Sequence, residues 1–462
     1  MQEILFVFDT RENLNWGGRA TSLALGRQLE RFGKVTSIDS RWVTRPVPMG
    51  PLAGRVRQNT FGDRALVHVL GRRGFKEVFA TVGLERDFVV VDPSVAVKRF
   101  LKACRHDASL QWLKHQVQRT DKVVLNGEGS LIFRNPPRRD VNFLMFVLEL
   151  AHRLGKPTYF VNTLASDCPY SGTNPEVEDV VHRTLTKATG VQARDPVSLE
   201  RLHRLGVTQA SLVPDATFLW AEEYPELLNG ELRLDRPEIF DVWPESPASF
   251  RGARLPAEYV AVLGASRHPS ESTARWPEFF DHVAAEVTAR LDLPLIFVDS
   301  WGDGFLEDVA SRRDATFLRP QLNVLLGAHV LANATAAIGG RYHPGILAAL
   351  GGTPCTFLAC ASHKTLSVQR QLEYPEERVF PIDAAPQNVD AVTRHLTRHI
   401  EKGSVLRDQL ADRALQLAGD VRAGLERILP THPIDHPGGH EAIPVNTARG
   451  HDDEAPYSQP GP

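Results

Sequence analysis

The segment Ala336-Ala-Ile-Gly-Gly-Arg-Tyr-His-Pro-Gly345 sets Arg341 and His343 two residues apart, just before a second apolar run, ILAALGG. It reads as a buried strand, a glycine turn and a helix. His343 would be the N-cap, Pro344 the first helical residue, and Gly351 would lie just past the end. In α/β folds ligands gather at the carboxyl ends of strands. A helix start there offers free N–H groups and a partial positive charge, which suits a phosphate or a carboxylate. Arg341 adds a guanidinium fork and His343 a group that titrates near neutrality. A capping histidine beside a surface arginine fits the local pattern equally well.

Other candidates share that placement. In Asn13-Leu-Asn-Trp-Gly-Gly-Arg-Ala-Thr-Ser22, Gly17 and Gly18 allow close backbone approach, and Arg19 falls at a helix start. The G-x-G-x-x-G spacing of a dinucleotide site is absent, and a tight turn alone would serve. Asn126, Gly127 and Glu128 form a glycine loop after the strand 123–125. Backbone N–H groups there could cradle a ligand and Glu128 could act as a base, or the glycines could serve only a turn. Arg194 and Asp195 end a short strand, as a ligand site or as a structural pair. Ser266 and Arg267 end another strand, Gly340 lies in the turn before Arg341, and Lys364 opens a helix. Arg134, Arg138 and Arg139 form a basic loop, either a solvated surface or a steering patch.

Stepping outward, short apolar runs alternate with amphipathic segments, the mark of βαβ units and parallel sheets. At 462 residues the chain exceeds what one core usually supports, which predicts two α/β domains. The boundaries read as 1–235, with an Arg-rich insertion at 41–87, then 236–430, then a disordered tail at 431–462. Expected elements include a helix at 20–32, a strand at 295–298, a helix at 276–291 and a strand at 355–358. The stretch 221–256 reads as a linker. The 53 Lys plus Arg against 56 Asp plus Glu argue against broad salt-driven nucleic-acid binding. Four cysteines are too few for a disulfide scaffold, and Cys355 and Cys360 read as inert thiols. The N-terminus reads as a first strand rather than a signal peptide, and the protein is expected to be cytoplasmic. No amphipathic basic helix stands out.

Taken in order, NLNWGGRATSLAL, LNGEGSLIF, VQARDPVSLERLHRLGV, LVPDATFL, LGASR and GGRYHPGILAALGGTPCTFLACASHKTLSVQRQL resemble the polysaccharide pyruvyl transferase family. The resemblance spans roughly residues 13 to 375. It implies two Rossmann-like domains facing across a cleft, as in the GT-B glycosyltransferases. It also implies phosphoenolpyruvate as donor and a saccharide acceptor, free or lipid-linked, in a cell-surface glycan or exopolysaccharide precursor, giving a cyclic pyruvate ketal. The family's arginine–x–histidine motif falls on Arg341 and His343, and its arginine–aspartate loop on Arg194 and Asp195. Members often carry Asn-x-Gly-Asp near the N-terminus; here Asn15-Trp-Gly17 is followed by Gly18.

Phosphoenolpyruvate would bring a phosphate and a carboxylate into one pocket, which calls for at least two cations. Arg341 and Arg194 would hold it, with Arg267 or Lys364 assisting. His343 would protonate the enol carbon or assist phosphate departure, and Glu128 would activate the acceptor hydroxyl. No metal and no organic cofactor is called for. Two other readings stay open: a nucleotide-sugar glycosyltransferase on the same fold, and a non-enzymatic anion-binding protein.

Overall fold

The structure, a computed structural model, describes residues 2–43, 87–168, 171–225, 256–266, 273–321 and 323–429. Arg267, nearly all of the Arg-rich stretch, most of the expected linker and the expected tail lie outside the described residues.

The first half builds one sheet from β1 (Glu3–Asp9), β2 (Lys34–Asp39), β3 (Lys122–Phe133), β4 (Thr158–Asp167), β5 (Gly190–Ala193) and β6 (Ala210–Leu212). Its helices are α1 (Trp16–Glu30), α2 (Pro93–Ala103), α3 (Ala108–Arg119), α4 (Arg139–Arg153), α5 (Pro175–Leu185), α6 (Pro196–Arg204) and the short α7 (Trp220–Glu223). The sheet order is β2-β1-β3-β4-β5-β6 and every pairing is parallel. The second half contributes β7 (Val260–Ala265), α8 (Trp276–Leu291), β8 (Leu295–Val298), α9 (Phe305–Arg312), β9 (Thr316–Leu318) and α10 (Val324–Ala332). It continues through β10 (Ala336–Gly340), α11 (Tyr342–Leu350), β11 (Cys355–Leu358), α12 (Lys364–Gln371), β12 (Val379–Phe380), α13 (Pro386–Glu401) and α14 (Gly403–Ile428). This sheet runs β12-β11-β10-β7-β8-β9, again all parallel.

Both orders reverse direction once, at β1/β3 in the first sheet and at β7/β10 in the second. At such a switch point the helices on either side diverge to opposite faces and leave a crevice beyond the strand ends. Two Rossmann-like sheets thus supply two crevices.

Helix starts follow from local sequence. Asp92, Asn174 and Asp195 each accept a backbone N–H from the first turn of α2, α5 and α6, and each is followed by proline at the first helical position. Two helix starts and one strand differ from the sequence expectation, for physical reasons. The Asn15 carboxamide accepts from Gly17 N, so α1 begins at Trp16 and takes Gly17 and Gly18 into its first turn rather than leaving them in a loop, while Arg19 falls at the helix start as expected. The glycine stretch around Glu128 continues β3, with its register broken between Glu128 and Leu131, so it is a bulged strand and not a loop. Arg341 is extended and caps α11, which begins at Tyr342 and puts His343 inside the first turn instead of at the cap.

One apolar cluster runs between the two sheets, from Phe6, Trp16 and Trp220 to Leu263, Leu347 and Phe357. Trp16 is fully buried and its indole N–H donates to the Pro320 carbonyl at 3.0 Å. Burying about 150–250 Å² of tryptophan at about 25 cal/mol per Å² contributes on the order of 4–6 kcal/mol. α14 then returns to the first half, where Gly424 O accepts from Gln192 and Arg422 pairs with Glu222 at 2.9 Å. Residues 1–431 accordingly form one contact unit.

Candidate active site

A cavity of about 580 Å³ joins the two switch points. Thr10, Asn15 and Glu128 line it from the first sheet, and Ser266, Arg341 and Lys364 from the second. Strand backbones are bent to make it. Phe8, Glu128 and Asn162 are non-glycine residues at φ 67°, 38° and 55°, and each stands at a break in strand register. Such residues cost of order 1–3 kcal/mol each and persist where the fold over-determines them. Phe8 and Glu128 thereby line the cavity, while Asn162 turns to Asn126 and the Ala216 amide. The Glu128 carboxylate lines the cavity with no side-chain hydrogen bond or ion pair to another described residue, which leaves it facing the cavity.

Behind the cavity lies a buried ionic cluster. Arg194 donates from Nη1 to Asp215 Oδ2 at 2.9 Å and lies 3.3 Å from His343 Nε2. His343 Nε2 is 3.4 Å from the same Asp215 oxygen. The Arg194 guanidinium also stacks over the Tyr342 ring at 4.3 Å. Burial alone would raise the Asp215 pKa, but His343 and Arg194 outweigh it and hold the carboxyl well below the usual range. Against the same burial, Tyr342, Asp215, Asp195 and Glu128 keep Arg194 charged. Yet Arg194 Nε and Nη2 are enclosed with no hydrogen-bond partner among the described residues. Unpaired buried donors cost about 1–3 kcal/mol each. Arg194 is fully buried, and neither it nor His343 lines the cavity, so both stand behind its wall.

Lys364 stands at the cavity wall near this cluster. Burial, then repulsion from Arg194, pulls its ammonium down to about 8. A Cβ added at Gly129 would come 3.4 Å from Lys364 Nζ. Arg138 donates to the Gly129 carbonyl at 2.8 Å, bringing one member of the basic loop to the same wall.

The remaining expected residues divide clearly. Arg341 lines the cavity, but Asp303 grips it bidentately at 2.6 and 2.9 Å and the Trp301 carbonyl accepts from it at 2.5 Å. Its Nη1 edge points at Ser266 Oγ, 3.5 Å away. Arg194 and Asp195 are not a pair with each other, which corrects that alternative. Asp195 caps α6 through Ser198 and accepts from His363 Nε2 at 3.0 Å, across the two sheets. Asn126 is buried and hydrogen-bonds Asn162 at 3.3 Å; Gly127 packs on Thr163 and Gly340 on Ala265, and none of the three lines the cavity. Gly17 lets α1 approach α11, because a side chain there would run into the His343 imidazole. At Gly18 a Cβ would meet Thr10 Oγ1 at 2.9 Å and stand 3.6 Å from Glu128 Oε1. Arg19 is buried and donates from Nε to the Arg11 carbonyl at 3.2 Å. Asp215, Asp303, Tyr342 and His363 were not read as site residues. Of these only Asp215 carried a signal, an aspartate directly after a short strand.

A sequence-family model described as polysaccharide pyruvyl transferase matches residues 61–363, about two thirds of the chain. The chain belongs to the polysaccharide pyruvyl transferase family. The match contains Glu128, Arg194, Arg341 and His343, and ends one residue before Lys364. Membership makes the chain an enzyme of pyruvyl transfer acting on a saccharide. No curated protein matches it. Among solved structures it is similar to UDP-GlcNAc 2-epimerase from Neisseria meningitidis bound to UDP-GlcNAc. That likeness has 10% identity and TM-score 0.51, over 93% of this chain and 100% of the other. A putative UDP-N-acetylglucosamine 2-epimerase from Listeria monocytogenes is similar at 10% identity and TM-score 0.51, over 92% and 95% of the two chains. At such identity the likeness concerns fold alone, and that fold is the two-sheet GT-B arrangement.

Proposed function

We propose that this pyruvyl transferase takes its pyruvyl group from phosphoenolpyruvate and closes it as a cyclic ketal on two hydroxyls of a saccharide. The observation that carries this reading is the set of cations on the cavity wall, Arg138, Arg341 and Lys364, backed by the buried Arg194 and His343. A small ligand with two anionic groups matches several cations converging on one wall. Each charge-assisted hydrogen bond would contribute about 1.5–3 kcal/mol.

The reaction begins when His343 passes a proton to the methylene carbon, converting the enol phosphate to a cationic centre at C2. A sugar hydroxyl adds there, losing its proton to Glu128, the cavity carboxylate without a partner. The C2–O bond to phosphate then breaks, the phosphate leaving with the proton that Glu128 took, and the neighbouring hydroxyl closes the ring and gives its proton back to His343. In family members with aspartate after the Asn-x-Gly turn, a second carboxylate would enter near this point. With Gly18 there, Glu128 is the acid that remains.

Calorimetric titration of the full chain with phosphoenolpyruvate, UDP and UDP-GlcNAc tests the donor. Phosphoenolpyruvate should bind and the nucleotides should not; saturable nucleotide binding with no phosphoenolpyruvate signal would favour the glycosyltransferase reading. Arg341→Ala should weaken phosphoenolpyruvate roughly 10- to 150-fold, the value of one charge-assisted contact. The affinity should also fall as pH rises through about 8, where Lys364 gives up its charge. A flat profile to about pH 9.5 in the wild type would remove Lys364 from the donor site.

A further inference from the structure

We propose that the outer face of α2 and α3 is a docking surface for the anionic headgroups of a phospholipid bilayer. The whole chain has a net charge of -3, yet this helix pair is strongly cationic. Residues 93–119 contain Lys98, Arg99, Lys102, Arg105, Lys114 and Arg119, against Asp107 as the only acid. Asp107 is already committed, accepting the Ser109 and Leu110 amides as the cap of α3. Arg119 reaches Glu3 at 3.3 Å and Arg99 donates to the Asp87 carbonyl. Lys98, Lys102, Arg105 and Lys114 have no carboxylate partner among the described residues.

A second basic face provides the contrast. On α13 and its neighbours, Arg290, Arg394 and Arg398 each pair with a carboxylate, Asp390 or Glu376. Those cations are spent internally. The ones on α2 and α3 are not.

Apolar side chains stand among the free cations. Val95, Leu101 and Trp112 are 38%, 37% and 40% exposed. The inward faces of these helices are already satisfied, with Phe100 packed on Phe88 and Phe146, and Leu110, Leu113 and Val117 in the same core. The outward apolar groups therefore remain after the fold is complete. Trp112 stacks on the buried Trp42 at 6.0 Å and 17°, which fixes its ring at the surface.

Lysine and arginine around an exposed tryptophan, with no acid within either helix, match a bilayer's headgroup region, where anionic charge lies beside apolar depth. A nucleic acid or soluble polyanion would reward the cations alone. Each helix is short, which is why no amphipathic basic helix stands out in the sequence. If the acceptor saccharide is lipid-linked, which rests on the proposed function, this surface brings the cleft to it. The docking itself does not depend on that reading. Among the described residues no helix is long and apolar enough to cross a membrane.

Flotation of the full chain with phosphatidylglycerol–phosphatidylcholine vesicles against phosphatidylcholine alone is the test. Binding should require phosphatidylglycerol and weaken with salt. The double change Lys98→Glu and Lys102→Glu should lower partitioning more than roughly tenfold, since each cation near an anionic surface accounts for about fivefold. Trp112→Ser, and separately Leu101→Ser should Trp112→Ser loosen the Trp42 stack, should weaken it severalfold. Arg394→Glu with Arg398→Glu should change nothing. Far-UV circular dichroism verifies that each variant is folded. Binding equal on both vesicles, or untouched by the lysine changes, would overturn the proposal. So would full competition by heparin with both apolar variants binding normally, which would make this a polyanion site.

Discussion

His343→Ala should lower turnover by about 10²–10⁴-fold, the usual weight of a positioned acid–base group, while leaving the chain folded. Fold is spared because Asp215 keeps its 2.9 Å bond to Arg194 when the imidazole is removed. Turnover is not spared, because the described residues place no other imidazole beside the Arg194–Asp215 pair. Steady-state rates with phosphoenolpyruvate, together with donor affinity from calorimetry, separate the two contributions. A donor-protonating histidine loses kcat and retains most of its binding; a histidine that only binds phosphate loses affinity first. Gly17→Ala offers an independent route to the same group. It leaves every titratable side chain in place, but its methyl would collide with the ring and turn it. It should therefore reproduce much of the kinetic loss. Turnover of His343→Ala within tenfold of wild type would refute the assignment.

Much of this arrangement was readable in the chain, and the unread part shares one cause. The strands at Leu295–Val298 and Cys355–Leu358 and the helix Trp276–Leu291 fall where the alternation of apolar runs predicts. Helix caps and following prolines are local signals, and Asp195-Pro196 was visible as one. Arg341 and His343 stand out because a glycine turn after an apolar strand is also local. The glycines around Glu128 misled for the same reason. In a single sequence glycine marks a turn, but here it lets a bulged strand pack closely on Thr163 and Lys364. Partnerships were wholly unreadable. Arg194 lies beside Asp195 in sequence but pairs with Asp215, since Asp195 is committed to capping α6 just beyond the end of β5. Asp303 meets Arg341 from 38 residues away, and His363 meets Asp195 from 168 away, and no spacing rule reports such contacts.

Arg194→Ala should destabilise the fold as well as abolish donor binding, and the two effects can be separated. Asp215 is fully buried, so losing its arginine leaves a carboxylate with only His343 and the Thr217 amide as partners among the described residues. Breaking a buried pair from one side typically costs about 3–5 kcal/mol, mostly the penalty of the stranded charge. The pH dependence of denaturant unfolding should carry the signature. In the wild type the Asp215 pKa is depressed in the fold, so its contribution is complete above about pH 4 and erodes as pH falls toward the folded value. Without Arg194 the depression is smaller, although His343 and the Thr217 amide still hold the carboxyl down. The variant therefore loses less stability than the wild type on acidification, and its deficit should shrink as pH falls below about 4. Arg194→Met with Asp215→Asn removes both charges and should recover most of the stability, since neutral replacements of a buried pair are often well tolerated. It should recover none of the phosphoenolpyruvate affinity, because the unfilled Nε and Nη2 donors are gone. Recovery of stability without binding would mark Arg194 as a ligand group held in place by Asp215. Recovery of both would make the pair structural and return the donor site to Lys364 and Arg341 alone.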